Sequence, residues 1–368
     1  MARAVPVSAE DRRHLERAAA LGRRAWGGVH PNPMVGCVLV RDGRVVGEGW
    51  HEQFGGPHAE TRALERAGAL ARGATAYVSL EPCRHEGKTP ACTGALVRSG
   101  VARVVFGAAD PGARSGGGAG ELTAAGIEVV GPAFDAERAW SENPAFHHWH
   151  ATGTPFVALK LALSLDGALA AAPGERTALT GAAARRETHR LRSGFDAVLV
   201  GSGTARVDDP LLTVRDVPHA RPAPVRMVLD SRARLPSNAA LLREAPGVPV
   251  WVFCSEGADE VEMERLEAAG ARVHPVPIGP GGLAVGAVLE RAAALGVQSI
   301  LCEGGARLGA HLLAEGVARR LYALVAPVIL GAGSVPAFPG LGGALGWRLA
   351  ADPVRLGQDT LLTLDREV

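Results

Sequence analysis

The chain has 368 residues, 47% of them hydrophobic, with 39 Lys and Arg against 38 Asp and Glu and a formal net charge of +1. That length predicts about two domains with sizeable cores, and the balanced charge with no basic block excludes a nucleic-acid surface. The charged start "MARAVPVSAEDRRHLERAAALGRR" lacks the apolar stretch of a signal peptide, and no segment reaches about 18 uninterrupted apolar residues, so a cytoplasmic protein without membrane spans is expected.

In chain order, residues 9–24 predict a helix, "VGCVLVRDGRVVGEGWH" (35–51) a hairpin turning at Asp42-Gly43, and "HAETRALERAGAL" (58–70) a second helix. A strand over 74–80, a helix over 91–99, a strand over 102–110, a helix over 120–126 and a strand over 127–131 follow. Strands alternating with helices predict a three-layer α/β domain. "ENPAFHHWHATGTP" (142–155) breaks the pattern, and the domains are set at 1–148 and 149–368. The alternation then restarts with "FVALKLAL", a helix from about 181 to 193, "DAVLVGSG", "VRMVLD", "VPVWVFC", helices at 258–269 and 283–295 flanking "ARVHPVP", "QSILCEGG", a helix at 306–316, and "RLYALVAPVILG". The Gly/Pro-rich 331–346 reads as a loop before the last strands. The whole is an α/β chain of two domains.

Chemistry concentrates in "EPCRHEGKTPAC" (81–92), which sets eight residues between two of only five cysteines. An odd cysteine count in a long chain is not a disulfide framework. Cys37, Cys254 and Cys302 sit in apolar runs and read as small buried hydrophobes. Cys83 and Cys92 read instead as metal ligands, completed by His58 of "PHAE" (57–60). One imidazole and two thiolates leave the fourth position of a tetrahedral zinc ion open for water, which marks a catalytic site. Glu60 is the candidate base; His58 and Glu60 converge only if the site lies off the first turn of their helix, since positions i and i+2 do not share a face. Zinc deaminases carry H-x-E followed by P-C-x-x-C, with the Glu moving protons. Here the second half is P-C-x8-C. A spacer this long must loop out, which brings His85 and Lys88 to the rim and suits a phosphate-bearing substrate.

The second domain gives weaker signals. "VLVGSGTARVDD" has Gly201 and Gly203 but Arg206 where a third glycine of a dinucleotide turn belongs. "SILCEGGARLGAHLL" places a Gly pair between strand and helix, which fits a phosphate at the helix start as well as it fits a tight packing turn.

Together these motifs resemble the bifunctional RibD-type enzymes of riboflavin biosynthesis. The resemblance is carried by "HPNPMVGCVLV" (30–40), "GPHAE" (56–60) and "EPCRHEGKTPAC" in the first half, and by "KLALSLDG" (160–167), "GSGTARVDDPLLTVR" (201–215), "VLDSRARLP" (228–236) and "CEGGARLGAHLL" (302–313) in the second. It implies a cytidine-deaminase-like N-terminal fold and a dihydrofolate-reductase-like C-terminal fold. The implied activities are deamination of 2,5-diamino-6-(5-phosphoribosylamino)pyrimidin-4-one and NADPH-dependent reduction of the ribosyl chain to ribityl. It implies that Asn32, His51, His85 and Lys88 contact the deaminase substrate; Asn32, held between two prolines, suits reading a base edge, though a simple turn fits that tripeptide as well. It places Leu163, Thr204, Asp208, Ser231 and the 305–311 turn (Gly305, Ala306, Arg307, Leu308, Gly309, Ala310, His311) at the cofactor, and Lys160, Arg176, Arg192, Leu212, Arg215 and Glu303 at the reductase substrate. Arg192 and Arg215 suit a phosphate because a guanidinium forms a bidentate fork. A homodimer or homotetramer is implied.

Two departures stand out: Ala178 replaces an aromatic after "GER", and "DPGARSGGGAG" (110–120) reads as a more flexible loop than the usual "DPNP". Three rivals remain at this level. One is a deaminase whose second domain only binds or assembles. Another is a nucleoside or tRNA deaminase, which calls for the short P-C-x-x-C. The third is a structural zinc protein with His85 as fourth ligand.

Overall fold

The computed structural model describes residues 6–218, 222–243 and 247–367. They form two compact units, the first ending at Gly153 and the second beginning at Thr154.

In the first unit the elements are α1 (Ala9–Gly22), β1 (Gly36–Arg41), β2 (Arg44–Trp50), α2 (Ala59–Ala67), β3 (Thr75–Leu80), α3 (Cys92–Ser99), β4 (Arg103–Ala108), α4 (Gly118–Ala124), β5 (Glu128–Val130), α5 (Ala136–Glu142) and α6 (Pro144–Thr152). The sheet runs β2-β1-β3-β4-β5, with β1 antiparallel to both neighbours and β3, β4 and β5 parallel. Alternate residues of β1 face opposite sides. Cys37 and Leu39 pack with Ala59, Ala63, Leu96 and Leu122 of α2, α3 and α4, while Val38 and Val40 pack with Leu15, Ala18 and Leu21 of α1. This is the three-layer arrangement expected, with the β1–β2 turn at Asp42 and Gly43, both at positive φ.

Two glycines of β2 set the seat of α2. A Cβ on Gly47 would lie 2.3 Å from the Ala63 carbonyl oxygen, and one on Gly49 would lie 2.5 Å from that of Ala59. Only glycine permits so close an approach, and that approach brings the start of α2, with His58 and Glu60, against the sheet.

The break expected at 142–155 is helical instead. Pro144 occupies the first turn of α6, where its missing N–H costs nothing, and the 148/149 boundary falls inside this helix.

The second unit comprises β6 (Phe156–Leu163), β7 (Ala168–Ala170), α7 (Ala182–Ser193), β8 (Ala197–Gly201), α8 (Ser202–Asp208), β9 (Val225–Leu229), α9 (Ala240–Arg243), β10 (Val250–Ser255), α10 (Glu260–Ala268), β11 (Arg272–Val276), the small hairpin β12 (Ile278–Gly279) and β13 (Gly282–Leu283), α11 (Val285–Ala294), β14 (Ser299–Cys302), α12 (Ala306–Ala314), β15 (Ala318–Val325), β16 (Val335–Pro336), β17 (Trp347–Leu349), β18 (Val354–Leu356) and β19 (Asp359–Arg366). The large sheet runs β11-β10-β9-β8-β14-β6-β15-β19-β17 and is parallel from β11 to β15. The chain moves outward from β8 to β11, then returns to insert β14 between β8 and β6. A reversal of this kind opens a crevice at the carboxyl ends of the central strands, where α/β proteins bind ligands. The 331–346 stretch is not wholly a loop, since β16 within it pairs with β7. Cys37, Cys254 and Cys302 are fully buried, as expected.

Candidate metal centre and dinucleotide crevice

His58 is the N-cap of α2 but makes no side-chain cap bond, so its ring is available to turn toward the metal position. Cys83 follows β3 directly after Pro82, and Cys92 opens α3. The His58 Nδ1 atom lies 3.2 Å from the Cys92 Sγ and 3.5 Å from the Cys83 Sγ, and the three donor atoms lie within 4.8 Å of one another. A tetrahedral zinc ion spaces N and S donors about 3.5–3.8 Å apart, so this set fits zinc with one position left for water. Hydrogen bonding from Cys92 and from His58 pulls the Cys83 thiol below its ordinary range, while the same pairing pushes Cys92 up. Two cysteines and an imidazole brought this close form a donor set that a cation completes. Among the described residues no other His, Cys, Asp or Glu joins the three, and His85 lies outside the cluster.

Glu60 sits in the first turn of α2, buried, two residues after His58. Burial raises its pKa, and the nearby Cys83 raises it further. A carboxyl so placed can take up and return a proton next to the open metal position.

The 84–91 spacer loops out without helix or strand. His85 is half-buried there, and the Lys88 ammonium lies 4.1 Å from the centre of the exposed Phe54 ring. His51 is deeply buried, and both its ring nitrogens are engaged: Nδ1 with the Pro57 carbonyl oxygen at 3.1 Å and Nε2 with the Asn32 amide nitrogen at 3.1 Å. Those partners assign the proton to Nδ1 and make Nε2 the acceptor. Burial lowers the His51 pKa, consistent with a neutral ring.

The 110–120 stretch, expected to be flexible, is tied down. Glu81 accepts from the Asp110 and Ala119 N–H groups at 3.2 and 2.9 Å, and Arg84 N donates to the Ser115 carbonyl at 3.1 Å. A Cβ on Gly118 would lie 1.9 Å from the Pro82 carbonyl oxygen, so the glycine-rich loop packs directly beneath the Cys83 segment. Glu81 went unnoticed in the sequence because its partners lie 29 and 38 positions away.

In the second unit, β6, β14 and α7 bring Lys160, Glu303 and Arg192 together. Arg192 donates from Nε and Nη2 to the two Glu303 oxygens at 2.5 and 3.1 Å and from Nη1 to the Thr213 carbonyl at 2.9 Å. The Lys160 Nζ lies 3.8 Å from Glu303 Oε2. The Arg192 fork expected for a phosphate is therefore spent on Glu303. Burial pushes the Lys160 pKa down; burial works to raise Glu303, but Arg192 and Lys160 outweigh it and hold the carboxylate charged. Asp208, at the end of α8, is raised by burial and faces the charges of Arg176 and Lys160. Arg215 is exposed and donates to Thr213 Oγ1 at 2.7 Å, and Arg176 is exposed. Leu212 has its side chain in the core, so it offers the crevice its main chain alone.

Beside this cluster two strand-to-helix turns meet. α12 begins at Gly305 with no side-chain cap, leaving its first N–H groups for a ligand. A Cβ on Gly305 would lie 3.0 Å from Thr204 Oγ1 in the first turn of α8, and one on Gly304 would lie 2.7 Å from Leu308. Side chains here would fill the space at the switch point, so the residues fit a dinucleotide phosphate. Ser231 is exposed after β9, Leu163 packs on the core at the end of β6, and His311 faces the turn at Gly281 between β12 and β13.

Residues 155–362 match the RibD C-terminal domain family, and residues 8–108 match the cytidine and deoxycytidylate deaminase zinc-binding region. The riboflavin biosynthesis protein RibD of Bacillus amyloliquefaciens is 37% identical over 324 residues, 88% of this chain and 86% of that protein. The structure of Acinetobacter baumannii RibD superposes with a TM-score of 0.84 at 35% identity, covering 98% of this chain and 99% of the other. That of the Thermotoga maritima diaminohydroxyphosphoribosylaminopyrimidine deaminase/5-amino-6-(5-phosphoribosylamino)uracil reductase superposes with a TM-score of 0.81 at 32% identity, covering 97% and 99%.

Proposed function

This chain belongs to the RibD family, bifunctional zinc deaminases and NADPH-dependent reductases of riboflavin biosynthesis, and from that premise we propose which residues perform each reaction. The deaminase half runs to Gly153, since α6 crosses the 148/149 boundary, and the reductase half begins at Thr154. His58, Cys83 and Cys92 hold the zinc. A zinc ion there supplies Lewis acidity and an activated water for the amino-bearing ring carbon. Glu60 takes one proton from that water and passes it to a ring nitrogen, then takes the second proton of the same water from the added hydroxyl and gives it to the departing amine, so that ammonia leaves and oxygen replaces it. Asn32, with its amide oriented by His51, reads the pyrimidine edge, and His85 and Lys88 hold the polar rim where the phosphoribosyl group lies. The observation that carries this half is the convergence of Glu60 with three zinc-compatible donors at the start of α2.

In the reductase half NADPH supplies a hydride to C1′ of the ribosyl chain, opened as an imine. The 305–311 turn with Thr204, Ser231, Leu163 and Asp208 holds the cofactor. Lys160 holds the proton that neutralises the reduced nitrogen, and the Glu303 carboxylate, fixed by Arg192, orients the Lys160 ammonium, while Arg176, Arg215 and the Leu212 main chain face the rest of the substrate. The supporting observation is a buried Lys–Glu–Arg cluster beside two glycine turns at the switch point.

The protein acts in the cytoplasm as a homodimer or homotetramer; its five free thiols suit a reducing compartment. The assignment is tested with His58→Ala, which should lose zinc and ammonia release while still oxidising NADPH on already deaminated substrate.

A further inference from the structure

We propose that Asn143 is a positioning residue for the deaminase, acting through the segment that carries Asn32. Its amide grips the main chain of Met34 from both sides: Oδ1 accepts from the Met34 N–H at 2.7 Å, and Nδ2 donates to the Met34 carbonyl at 3.1 Å. The two residues are 109 positions apart in the chain, and Asn143 is buried with both polar atoms satisfied.

The position makes this choice informative. Asn143 is the N-cap of α6, where an asparagine ordinarily accepts a hydrogen bond from the first turn of its own helix and stabilises it by about 1 kcal/mol. Here it makes no such bond. The amide has been diverted from the local task to a segment that has no helix or strand of its own.

That segment is the approach to β1. Asn32 lies two residues before Met34, and its amide meets the His51 Nε2, while the Val35 carbonyl accepts from the His51 N–H at 3.0 Å. Gly36, just beyond, is locked against α1, since a Cβ there would lie 2.0 Å from the Ala18 carbonyl oxygen. Val35 and Gly36 are thus fixed by the sheet and α1. Upstream, the Asn143 clamp is the side-chain tie on Met34, and the His51 ring is the tie on the Asn32 amide. Loss of the clamp frees the main chain that aims Asn32 without touching a zinc donor or Glu60.

The inference rests on Asn32 binding the pyrimidine, so the test separates the two. Asn143→Ser offers α6 a residue able to cap it but cannot reach Met34; Asn143→Ala offers neither cap nor clamp. Deamination kinetics are measured for both, alone and with Asn32→Ala, with zinc content and NADPH oxidation on deaminated substrate as controls for folding. The clamp predicts that Asn143→Ser and Asn143→Ala raise the deaminase KM alike, by about tenfold with little change in kcat, as expected for lost uniform binding. It also predicts that either change adds less than about twofold once Asn32 is alanine, because the two residues act in one unit. If Asn32→Ala leaves KM unchanged, the role given to Asn32 fails. If Asn32→Ala raises KM but Asn143→Ser does not, or if the two effects multiply in full, Asn143 does not act through Asn32 and the proposal falls.

Discussion

The Arg192 guanidinium lies edge-on to the Glu303 carboxylate, Nε to Oε1 at 2.5 Å and Nη2 to Oε2 at 3.1 Å, joining α7 to the end of β14 at the mouth of the crevice. Both side chains are about nine-tenths shielded, and removing one partner of such a pair leaves a buried charge uncompensated. Glu303→Gln, which keeps shape and loses charge, is expected to slow NADPH oxidation on deaminated substrate by about 100-fold, because the Lys160 ammonium loses the carboxylate that holds it where an acid is needed. Ammonia release should be unchanged, and a parallel fall in both rates would point to unfolding instead.

Removal of the metal is expected to inactivate one half only. The first unit keeps two apolar cores, one on each face of its sheet, that owe nothing to the metal. Treatment with a chelator should therefore abolish ammonia release and leave the far-ultraviolet circular dichroism spectrum and NADPH oxidation in place, with added zinc restoring the first. Unfolding on chelation would identify a structural site.

Gly305→Val places a branched side chain where even a Cβ would meet Thr204 Oγ1 at 3.0 Å. The KM for NADPH should rise by about tenfold or more through lost approach of the phosphate to the helix start. Deaminase kinetics serve as the control, and an unaltered NADPH affinity by fluorescence titration would remove the cofactor from this turn.

Stability in acid should depend on Asp11. Its carboxylate accepts from Arg103 Nη1 and Nη2 at 2.7 and 3.1 Å, from the Ser8 N–H, and from the Tyr77 hydroxyl at 3.1 Å. The Arg103 guanidinium, above all, holds its pKa well below the ordinary carboxylate range despite burial. The folded value lies below the unfolded value of about 3.9, so the stabilisation is complete above that pH and is lost as pH falls toward the folded value. Asp11→Ala should cost about 3 kcal/mol near neutral pH. The difference from the parent protein in urea titrations should shrink at about pH 3, and a constant difference would show that the charge is not responsible.

The zinc donors and Glu60 were legible because metal chemistry restricts residue type and because the helix and strand around them have clear periods. The long parallel strands were legible for the second reason. What escaped were residues whose meaning lies in distant partners: Asn143 on Met34, Glu81 on Asp110 and Ala119, and Arg192, whose fork suggested a phosphate but closes on Glu303, 111 positions away. α6 was missed because Pro144 reads as a breaker, although proline is tolerated in a first turn. α8 was missed because Gly201 and Gly203 were weighed as an incomplete dinucleotide turn at the end of a strand, where Gly201 in fact caps a helix. The resemblance implied that His51 contacts the substrate, and only the fold shows both its nitrogens already taken.

If one chain carries two separable reactions, the first depending on Glu60, they part when ammonia release and NADPH oxidation are followed together on the phosphoribosylated diaminopyrimidine, for the intact protein and for Glu60→Gln. The intact protein should do both, and the variant should release no ammonia yet oxidise NADPH at the normal rate when given deaminated substrate. Ammonia release that persists in Glu60→Gln, or an intact protein that never consumes NADPH, would contradict the account.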